Sequence, residues 1–370
     1  MRHYSTRTKE LLQFPSTKLD MAPPVDNPLL PPGTLILVTA GNGYLGSHIV
    51  DQCLAYGYSV RTTVRSLERS AWMKRDFSNR HPNAQLEVVE VSDLSQPGCY
   101  DATLKGVSAM IHTPGFTNMS DPDMVGNTVK LNLIALEAVH EANKNGENVR
   151  RFVLTGSSWA VKYPVPNVFQ NIAEDQYDES IAKALSNPDT PKDFWPLMGY
   201  VQSKIAGEQA CWKYVRENPD CGFVLNTVIP ATCMGPVIAP VEQQYPSTAG
   251  FIRSLHECKN QELFDVIEPQ WYVDVRDQAR LHVAGAVLDG VEDRRIFGWA
   301  GPYTWIGVAD VLEKEMGTRT TIRLADKGND ITKVLAKDKA ESYLKRMGQS
   351  DWVPFDQSVR ECIRSYYPKA

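Results

Sequence analysis

The chain of 370 residues lacks the patterns by which proteins build disulfide frameworks or bind zinc. Its seven cysteines are odd in number and none is spaced as CxxC, and its seven histidines show neither HExxH nor HxxxH spacing. A disulfide-stapled scaffold and a metal site are therefore not expected. Unpaired cysteines are typical of a reducing compartment, so we expect a cytoplasmic protein.

Long hydrophobic runs and clusters of like charge are also missing. The most apolar long stretch, residues 223–241, is interrupted by Asn226 and by three prolines, whereas a membrane helix needs about 20 apolar residues with few breakers. The 39 Lys and Arg residues are scattered against 44 Asp and Glu, for a net charge of −5. The sequence therefore predicts no membrane span and no nucleic-acid partner.

What is present is an alternation of short apolar runs with amphipathic stretches. Strands are predicted at 35–38, 59–64, 86–91, 109–112, 151–154 and 223–228, and helices at 43–56, 124–143 and 200–216. This alternation implies right-handed crossovers and a doubly wound parallel α/β sheet of the Rossmann type, covered on both faces. Ligands bind such sheets at the carboxyl ends of the strands.

The domain organisation follows from where this rhythm begins and stops. Residues 1–32, with five prolines between 22 and 33, are expected to form an extended, disordered lead-in, a targeting segment being the alternative for its first part. Residues 33–235 are expected to form the dinucleotide-binding domain, with 160–198 contributing to the substrate mouth. Residues 236–370 show a mixed pattern and are expected to form mainly a smaller α/β substrate lobe.

A glycine-rich turn, TAGNGYLG at residues 39–46, joins the first strand to the first helix. Glycines allow the backbone to approach a pyrophosphate, and the helix N-terminus favours that anion. Two alignments are open: Gly41, Gly43 and Gly46 match GxGxxG, or Ala40 takes the place of the first glycine before Gly43 and Gly46. The residues expected to contact a dinucleotide here are Ala40, Gly41, Gly43, Tyr44 and Leu45.

The residue after the second strand indicates which dinucleotide binds. NAD-binding proteins usually place an acidic residue about 20 positions past the turn, but this chain has Arg65 there. A guanidinium pairs with a 2′-phosphate, so we expect NADP (as NADPH), with Lys74 or Arg75 as a second phosphate contact. Asp93, after the third strand, is expected either to accept from the adenine amine or to cap a helix.

Three polar residues form a candidate catalytic set. Tyr200 and Lys204 are four apart on a predicted helix and therefore share a face. A neighbouring ammonium favours the phenolate, so we expect Lys204 to lower the pKa of Tyr200, which then serves as acid or base for a carbonyl oxygen. Ser157, or alternatively Ser158, follows the fifth strand and is expected to hold that oxygen.

The order of these motifs resembles the extended short-chain dehydrogenase/reductases, and among them the dihydroflavonol reductase, cinnamoyl-CoA reductase and yeast-type aldehyde and ketone reductase group. The resemblance covers roughly residues 33–365. The motifs that carry it are the glycine turn, Arg65, Asp93–Leu94, His112–Thr113, residues 155–157, the Tyr200/Lys204 pair, residues 226–230 and residues 272–277.

This resemblance implies NADPH-dependent reduction of an aldehyde or ketone to an alcohol. It implies that Ser157 orients the carbonyl, that Tyr200 is the acid/base and that Lys204 binds the nicotinamide ribose. It also places Thr113 and Pro230 along the cofactor channel and Leu94 beside Asp93 in the cofactor site. Ala40 departs from the group, because a glycine usually stands at that position.

Two other functions are compatible with the same scaffold. A sugar-nucleotide epimerase or dehydratase retains NAD, which Arg65 disfavours, and a non-catalytic NADP-binding protein is disfavoured by the intact Ser/Tyr/Lys set. We therefore expect a small-molecule carbonyl substrate as partner, while the sequence indicates no oligomeric state. Five aromatic residues are expected either to wall the substrate mouth or to pack in the lobe core: Trp159, Phe194, Trp195, Tyr245 and Phe251.

Overall fold

The computed structural model describes residues 22–115, 121–187, 189 and 195–368. The strands in chain order are β1 (Leu35–Val38), β2 (Ser59–Val64), β3 (Leu86–Glu90), β4 (Ala109–His112), β5 (Arg151–Thr155), β6 (Asn171–Ile172), β7 (Val224–Pro230), β8 (Thr232–Met234), β9 (Gln270–Asp274), β10 (Arg295–Gly298), β11 (Gly301–Tyr303) and β12 (Lys333–Val334). The helices are α1 (Tyr44–Ala55), α2 (Ala71–Arg80), α3 (Met124–Lys144), α4 (Ser158–Val161), α5 (Glu179–Ser186), α6 (Trp195–Glu217), α7 (Pro240–Gln243), α8 (Ala249–His256), α9 (Gln261–Val266), α10 (Val275–Val287), α11 (Trp305–Met316), α12 (Lys337–Arg346) and α13 (Phe355–Tyr366).

The central sheet has seven strands in the order β10-β7-β5-β4-β1-β2-β3, and every neighbouring pair is parallel. The chain runs outward from β1 in one direction to β3 and in the other to β10. The strand order therefore reverses between β1 and β4, which in such sheets opens a crevice at the carboxyl ends. The predicted doubly wound Rossmann-type fold is confirmed.

The two faces of the sheet are covered by different helices because side chains alternate along each strand. Ile36 and Val38 of β1 belong to one apolar core, together with residues of α1 and α10. Leu37 points to the opposite face and belongs to a second core, with Ala135 of α3 and Cys211 of α6. Strands buried on both faces read as continuous apolar runs, which is why β1 could be predicted from its sequence.

A smaller mixed lobe follows the central sheet in sequence. It contains a three-stranded sheet, β11-β9-β8, in which β9 is antiparallel to β11 and parallel to β8. A two-stranded sheet joins β12 to β6. The division at residue 235 stays a prediction, and the structure adds one fact to it. The segment after that point returns to the central sheet, where β10 supplies the seventh strand and α10 packs against α1.

The proline-rich residues 22–32 run in an extended form but are held by hydrogen bonds. The N–H groups of Leu29 and Leu30 donate to the carbonyl of Val287 at 2.7 and 3.3 Å, and the Tyr58 hydroxyl donates to the Leu30 carbonyl at 3.0 Å. These hydrogen bonds hold Leu29 and Leu30 against α10 and against Tyr58, just before β2, whereas disorder of the lead-in stays a prediction. Residues 1–21, including the alternative targeting segment, lie outside the described residues.

Hydropathy agrees with a fold that buries its apolar residues in these two cores. Among the described residues, no helix has both the length and the apolar character needed to cross a membrane.

Candidate active site

The predicted site residues meet at the carboxyl edge of the central sheet. They follow β1 (Ala40 and Gly41), β2 (Arg65), β3 (Asp93 and Leu94), β4 (Thr113) and β5 (Ser157), and Pro230 ends β7. Parallel strands bring their carboxyl ends to one edge, so residues far apart in sequence share one crevice. Gly43, Tyr44 and Leu45 lie at the start of α1, and Lys74 lies on α2. Tyr200 and Lys204 come from α6, which packs against α4 directly after Ser157.

The glycine turn combines features of both alignments. Ala40 has a φ of +53°, the left-handed region in which a glycine carries no steric cost. A Cβ at Gly41 would lie 2.0 Å from Thr62 Oγ1, and one at Gly46 would lie 2.5 Å from the Ala40 carbonyl oxygen. Position 40 therefore has the backbone of the first glycine in a GxxGxxG turn, whereas Gly41 and Gly46 are glycines because there is no room for a side chain.

The N-terminus of α1 is open toward an anion. Gly43 is its N-cap and offers no capping side chain, and the first turn contains no acidic residue. The first N–H groups of a helix have no intrahelical acceptor, and the helix dipole adds a partial positive charge there. This end of α1 therefore fits a pyrophosphate group.

Three threonines fix this turn, and two of them, Thr39 and Thr63, were not among the predicted site residues. The Ala40 N–H donates to Thr63 Oγ1 at 3.2 Å, and the Gly41 N–H donates to the Thr63 carbonyl at 3.2 Å. On the other side, the Thr113 N–H donates to Thr39 Oγ1 at 3.2 Å, and the Thr113 hydroxyl donates to the Thr39 carbonyl. Their only sequence signal is a threonine at the end of a strand, which is too common to single them out.

The crevice beside the carboxyl end of β2 carries positive side chains. Arg65 directly follows β2 and Lys74 lies on α2, and both side chains are exposed. In the described part of the chain neither forms an ion pair or hydrogen bond. Arg75, the alternative to Lys74, is instead held by Asp76 at 2.6 Å and Glu242 at 3.0 Å.

Asp93 does not cap a helix, because a turn and not a helix follows it, and its carboxylate closes that turn. Its Oδ1 accepts from the Ser95 N–H at 2.9 Å and from the Ser95 hydroxyl at 2.6 Å, and its Oδ2 accepts from Gln96 at 2.7 Å. These hydrogen bonds lower the pKa of Asp93 to about 2. The carboxylate therefore fixes the loop after β3, while its contact with adenine stays a prediction. Leu94, the next residue, is partly buried against the apolar core that contains Leu37.

The catalytic candidates Ser157 and Tyr200 are joined by a hydrogen bond. Ser157 is the N-cap of α4 and its Oγ accepts from the Trp159 N–H at 3.3 Å. Tyr200 meets Trp159 edge to face, with ring centroids 6.3 Å apart. Since the hydrogen bond to Tyr200 comes from Ser157, this residue rather than Ser158 is placed to act with the phenol.

Lys204 lies one helical turn beyond Tyr200, where the segment after β4 passes. Its Nζ is 3.6 Å from the point that a Cβ at Gly115 would occupy. No described residue accepts a hydrogen bond from it. Its charge also reaches His112 on β4, whose pKa is lowered to about 3 by burial first and by Lys204 second.

The predicted lowering of the Tyr200 pKa is wrong. Burial raises the pKa of Tyr200 above its ordinary value, and the hydrogen bond from Ser157 opposes this only in part. Burial also lowers the pKa of Lys204 to about 8, so the lysine loses its proton before the phenol ionises. Tyr200 is therefore a protonated phenol at neutral pH.

The comparisons with known proteins agree with this geometry. Residues 36–294 match the NAD dependent epimerase/dehydratase family. The chain belongs to that family. Aldehyde reductase 2 of Sporidiobolus salmonicolor is 33% identical over 92% of this chain and 98% of its own length. Ketoreductase adrE of Penicillium roqueforti is 32% identical over 91% of this chain and 98% of its own.

A solved structure shares the fold of this epimerase/dehydratase family member. The crystal structure of Gre2 from Candida albicans in complex with NADPH superposes with a TM-score of 0.74 at 22% identity. The match covers 90% of this chain and 98% of that one. The extended short-chain dehydrogenase/reductase architecture inferred from the motifs is thereby confirmed.

Within this family member, a further contact that sequence reasoning missed lies over the glycine turn. The Gln243 side chain on α7 donates to the Asn42 carbonyl at 3.1 Å and to Ser47 Oγ at 3.3 Å. The Tyr44 hydroxyl donates to the Gly235 carbonyl at 2.9 Å. Both contacts attach the segment after β8 to the turn. The Tyr44 phenol is thus occupied by the protein, and its predicted contact with cofactor rests on its backbone.

The five aromatic residues considered as substrate walls separate into different environments. Trp159 is next to Tyr200, and its indole N–H donates to Gln270 Oε1 at 2.7 Å. Phe251 packs edge to face on Trp305 in the lobe core, with centroids 6.3 Å apart. Tyr245 lies under the Arg253 guanidinium at 4.1 Å. Phe194 and the Trp195 side chain lie outside the described residues. Of the three aromatic side chains in this set that the structure describes, Trp159 is the one that lies beside Tyr200.

Proposed function

We propose that this protein uses NADPH to reduce an aldehyde or ketone to an alcohol, with Tyr200 donating the proton, Ser157 holding the carbonyl oxygen and Lys204 supplying positive charge. The hydrogen bond between Ser157 and Tyr200 at the carboxyl edge of the sheet is the observation that carries the proposal. Aldehyde reductase 2 and ketoreductase adrE, similar to this chain over nearly their whole length, support the same reaction.

The residues at the edge of the sheet fit NADPH. Gly41 and Gly46 leave no room for side chains, and the open end of α1 suits the pyrophosphate. Arg65 and Lys74 are free to bind the 2′-phosphate that distinguishes NADPH from NADH. Thr113 directly follows β4 and Pro230 is the last residue of β7. Both are assigned to the nicotinamide side. When bound, NADPH supplies the hydride.

The proton step follows from the protonation state of Tyr200. Because burial raises the pKa of Tyr200, the phenol carries its proton at neutral pH and can donate it to the carbonyl oxygen as that oxygen gains charge. Ser157 holds the same oxygen by a hydrogen bond and stabilises the developing charge. Donation leaves a phenolate in a buried place, which a charged Lys204 one turn away stabilises.

The test is a turnover assay with purified protein, NADPH and a panel of aliphatic and aromatic aldehydes and ketones. We expect loss of NADPH absorbance with members of the panel, and a much weaker rate with NADH. Absence of cofactor oxidation across the panel would contradict the proposal. Purified protein that retains NAD and acts on a nucleotide sugar would favour an epimerase or dehydratase instead.

The cellular location is a separate part of the proposal. All seven cysteines are free, and free thiols are typical of a reducing compartment such as the cytoplasm. A fluorescent fusion of the whole chain, imaged with cytoplasmic and organellar markers, tests this location.

A further inference from the structure

The catalytic face of α6 carries a third polar residue that the proposed mechanism does not use. Glu208 is four positions after Lys204 and eight after Tyr200, so the three side chains occupy successive turns of one face. Glu208 is only 1% exposed. A carboxylate so far from water needs compensating partners, because an unpaired buried charge is strongly unfavourable.

An arginine from the edge strand of the sheet supplies that compensation. Arg295 on β10 donates through Nε to Glu208 Oε1 at 2.7 Å and through Nη2 to Oε2 at 3.1 Å. The Trp212 indole N–H adds a hydrogen bond to Oε1 at 3.2 Å. A two-point guanidinium contact holds the carboxylate both ionised and oriented.

Arg295 is itself fixed from the loop before α5. Its Nη1 donates to the carbonyls of Glu174 and Gln176, both at 2.8 Å. Its guanidinium lies 4.2 Å from the centre of the Tyr177 ring. The position of the Glu208 carboxylate is thus determined by three separate segments of the chain.

The groups around Lys204 leave Glu208 as the negative charge that acts on it. His112 on β4 is neutral at ordinary pH, since its pKa is lowered to about 3. Tyr200 on α6 is a neutral phenol, with the uncharged Ser157 on the β5 side, and Asn132 approaches from α3 beside Gly207. Burial lowers the pKa of Lys204 to about 8, and Glu208 opposes that lowering.

We propose that Glu208, held by Arg295, is a positioning residue for carbonyl reduction, whose buried carboxylate keeps Lys204 charged under Tyr200. This inference rests on the proposed function, in which the charged lysine stabilises the phenolate that proton donation leaves. It adds Glu208 and Arg295, a buried pair of residues 87 positions apart in sequence, to the residues that set the rate.

The first test is the pH profile of kcat/KM for Glu208→Gln. In the unaltered protein the ammonium form of Lys204 is lost as the pH rises through about 8, so activity declines on the alkaline side. Without the carboxylate that decline moves to lower pH, by on the order of one unit. Activity of the variant at pH 8 then falls to about a tenth of its plateau, which is about fivefold below the activity of the unaltered protein at the same pH.

A second measurement follows the protonation of the Lys204 amine and requires neither NADPH nor turnover. The rate at which a small acylating reagent modifies Lys204 is followed against pH by peptide mass mapping. Only the free amine reacts, so the midpoint of the profile reports the lysine directly. We expect the same downward shift in Glu208→Gln, and this result is independent of whether the protein reduces carbonyls.

Three variants control these measurements. Glu208→Asp keeps the charge and is expected to return both midpoints toward their original values. Glu208→Gln combined with Arg295→Gln removes both charges and replaces the single variant if an unpaired Arg295 prevents folding. Glu292→Gln removes the exposed partner of Arg151 at the opposite edge of the sheet and is expected to move neither midpoint.

Two outcomes separate the proposals. If kcat/KM falls equally at all pH values and the acylation midpoint of Lys204 does not move, Glu208 has a structural role and the inference is wrong. If the acylation midpoint shifts but no variant or parent reduces carbonyls, Glu208 acts on Lys204 and it is the proposed function that fails.

Discussion

Positive side chains behave differently at the carboxyl edge of the sheet and in the lobe. Three at the edge form no hydrogen bond with a carboxylate among the described residues: Arg65, Lys74 and Lys204. Three in the lobe are each bound to a carboxylate at 2.8 Å: Arg253, Arg276 and Arg280. The difference is one of partners rather than of residue type, because the same guanidinium group occurs in both regions.

The lobe shows what full pairing achieves. Asp274 is completely buried, and its two oxygens accept from the Arg276 N–H at 2.9 Å, from the Arg276 guanidinium at 2.8 Å twice, and from the Ser358 hydroxyl at 2.7 Å. These bonds join β9, α10 and α13. Charges satisfied in this way fix a structure, whereas unsatisfied ones gathered at a crevice are available to a ligand.

The largest effect is expected at Tyr200, the proposed proton donor at the carboxyl edge of the sheet. Tyr200→Phe removes the proton donor and keeps the ring that packs on Trp159, so kcat is expected to fall by about 10²–10⁴. NADPH binding, measured by quenching of tryptophan fluorescence, is expected to change less than twofold. Turnover that persists at the parental rate would show that another group donates the proton.

The lobe is expected to respond in stability instead of turnover. Asp274→Asn leaves Arg276 with only its contact to Glu361 and the Ser358 hydroxyl with a weaker acceptor, so the free energy of unfolding is expected to fall by about 3 kcal/mol. Urea unfolding measures this, and KM for NADPH is expected to stay the same.

The matched change on the surface is Glu87→Gln. It breaks the pair with Arg61 on β2, in which the glutamate side chain is 56% exposed, and is expected to cost less than about 1 kcal/mol. Equal losses for the two variants would mean that burial does not distinguish the ion pairs of this protein.

At the edge, loss of an unpaired cation is expected to change cofactor preference. Arg65→Ala removes a charged hydrogen-bond donor to the 2′-phosphate, which is worth about 1.5–3 kcal/mol. KM for NADPH is expected to rise about tenfold to hundredfold, with KM for NADH unchanged. Arg150→Ala, an exposed arginine before β5 at the opposite edge, is the control and is expected to leave both values unchanged. An equal rise for both cofactors would place Arg65 away from the 2′-phosphate.

The sequence predicted those parts of the molecule that depend on local patterns. Strands such as β1 are continuous apolar runs, and α1 follows a glycine turn, so their type and approximate bounds could be read directly. The order of the site residues along the chain also predicted their convergence, because most of them follow a strand and parallel strands end at one edge. Spacing on one helix singled out Tyr200 and Lys204, whereas the end of the fifth strand left Ser157 and Ser158 as alternatives.

The features that the sequence did not predict depend on burial and on contacts between distant segments of the chain. The pKa order of Tyr200 and Lys204 is the reverse of that predicted, since spacing on a helix shows proximity but not how far water is excluded. Arg295 lies 87 residues from Glu208, and no motif links them. The strand that carries it, β10, was missed because it returns to the sheet after a long excursion through the lobe.

The smallest predicted effect concerns the backbone of the edge. Ala40 has the left-handed conformation, which costs a residue with a Cβ about 1–2 kcal/mol. A glycine at this position avoids that cost, but it also increases the conformational entropy of the unfolded chain, which offsets part of the stabilisation. Ala40→Gly is therefore expected to raise the free energy of unfolding by about 0.5–1 kcal/mol.

Ala182→Gly, in the exposed middle of α5, has the opposite expected sign and costs about 1 kcal/mol, because there glycine only weakens a helix. Urea unfolding of both variants measures the difference. Destabilisation by both would show that Ala40 is not strained, and that the turn tolerates alanine because the hydrogen bonds that the Ala40 and Gly41 N–H groups donate to Thr63 define its conformation.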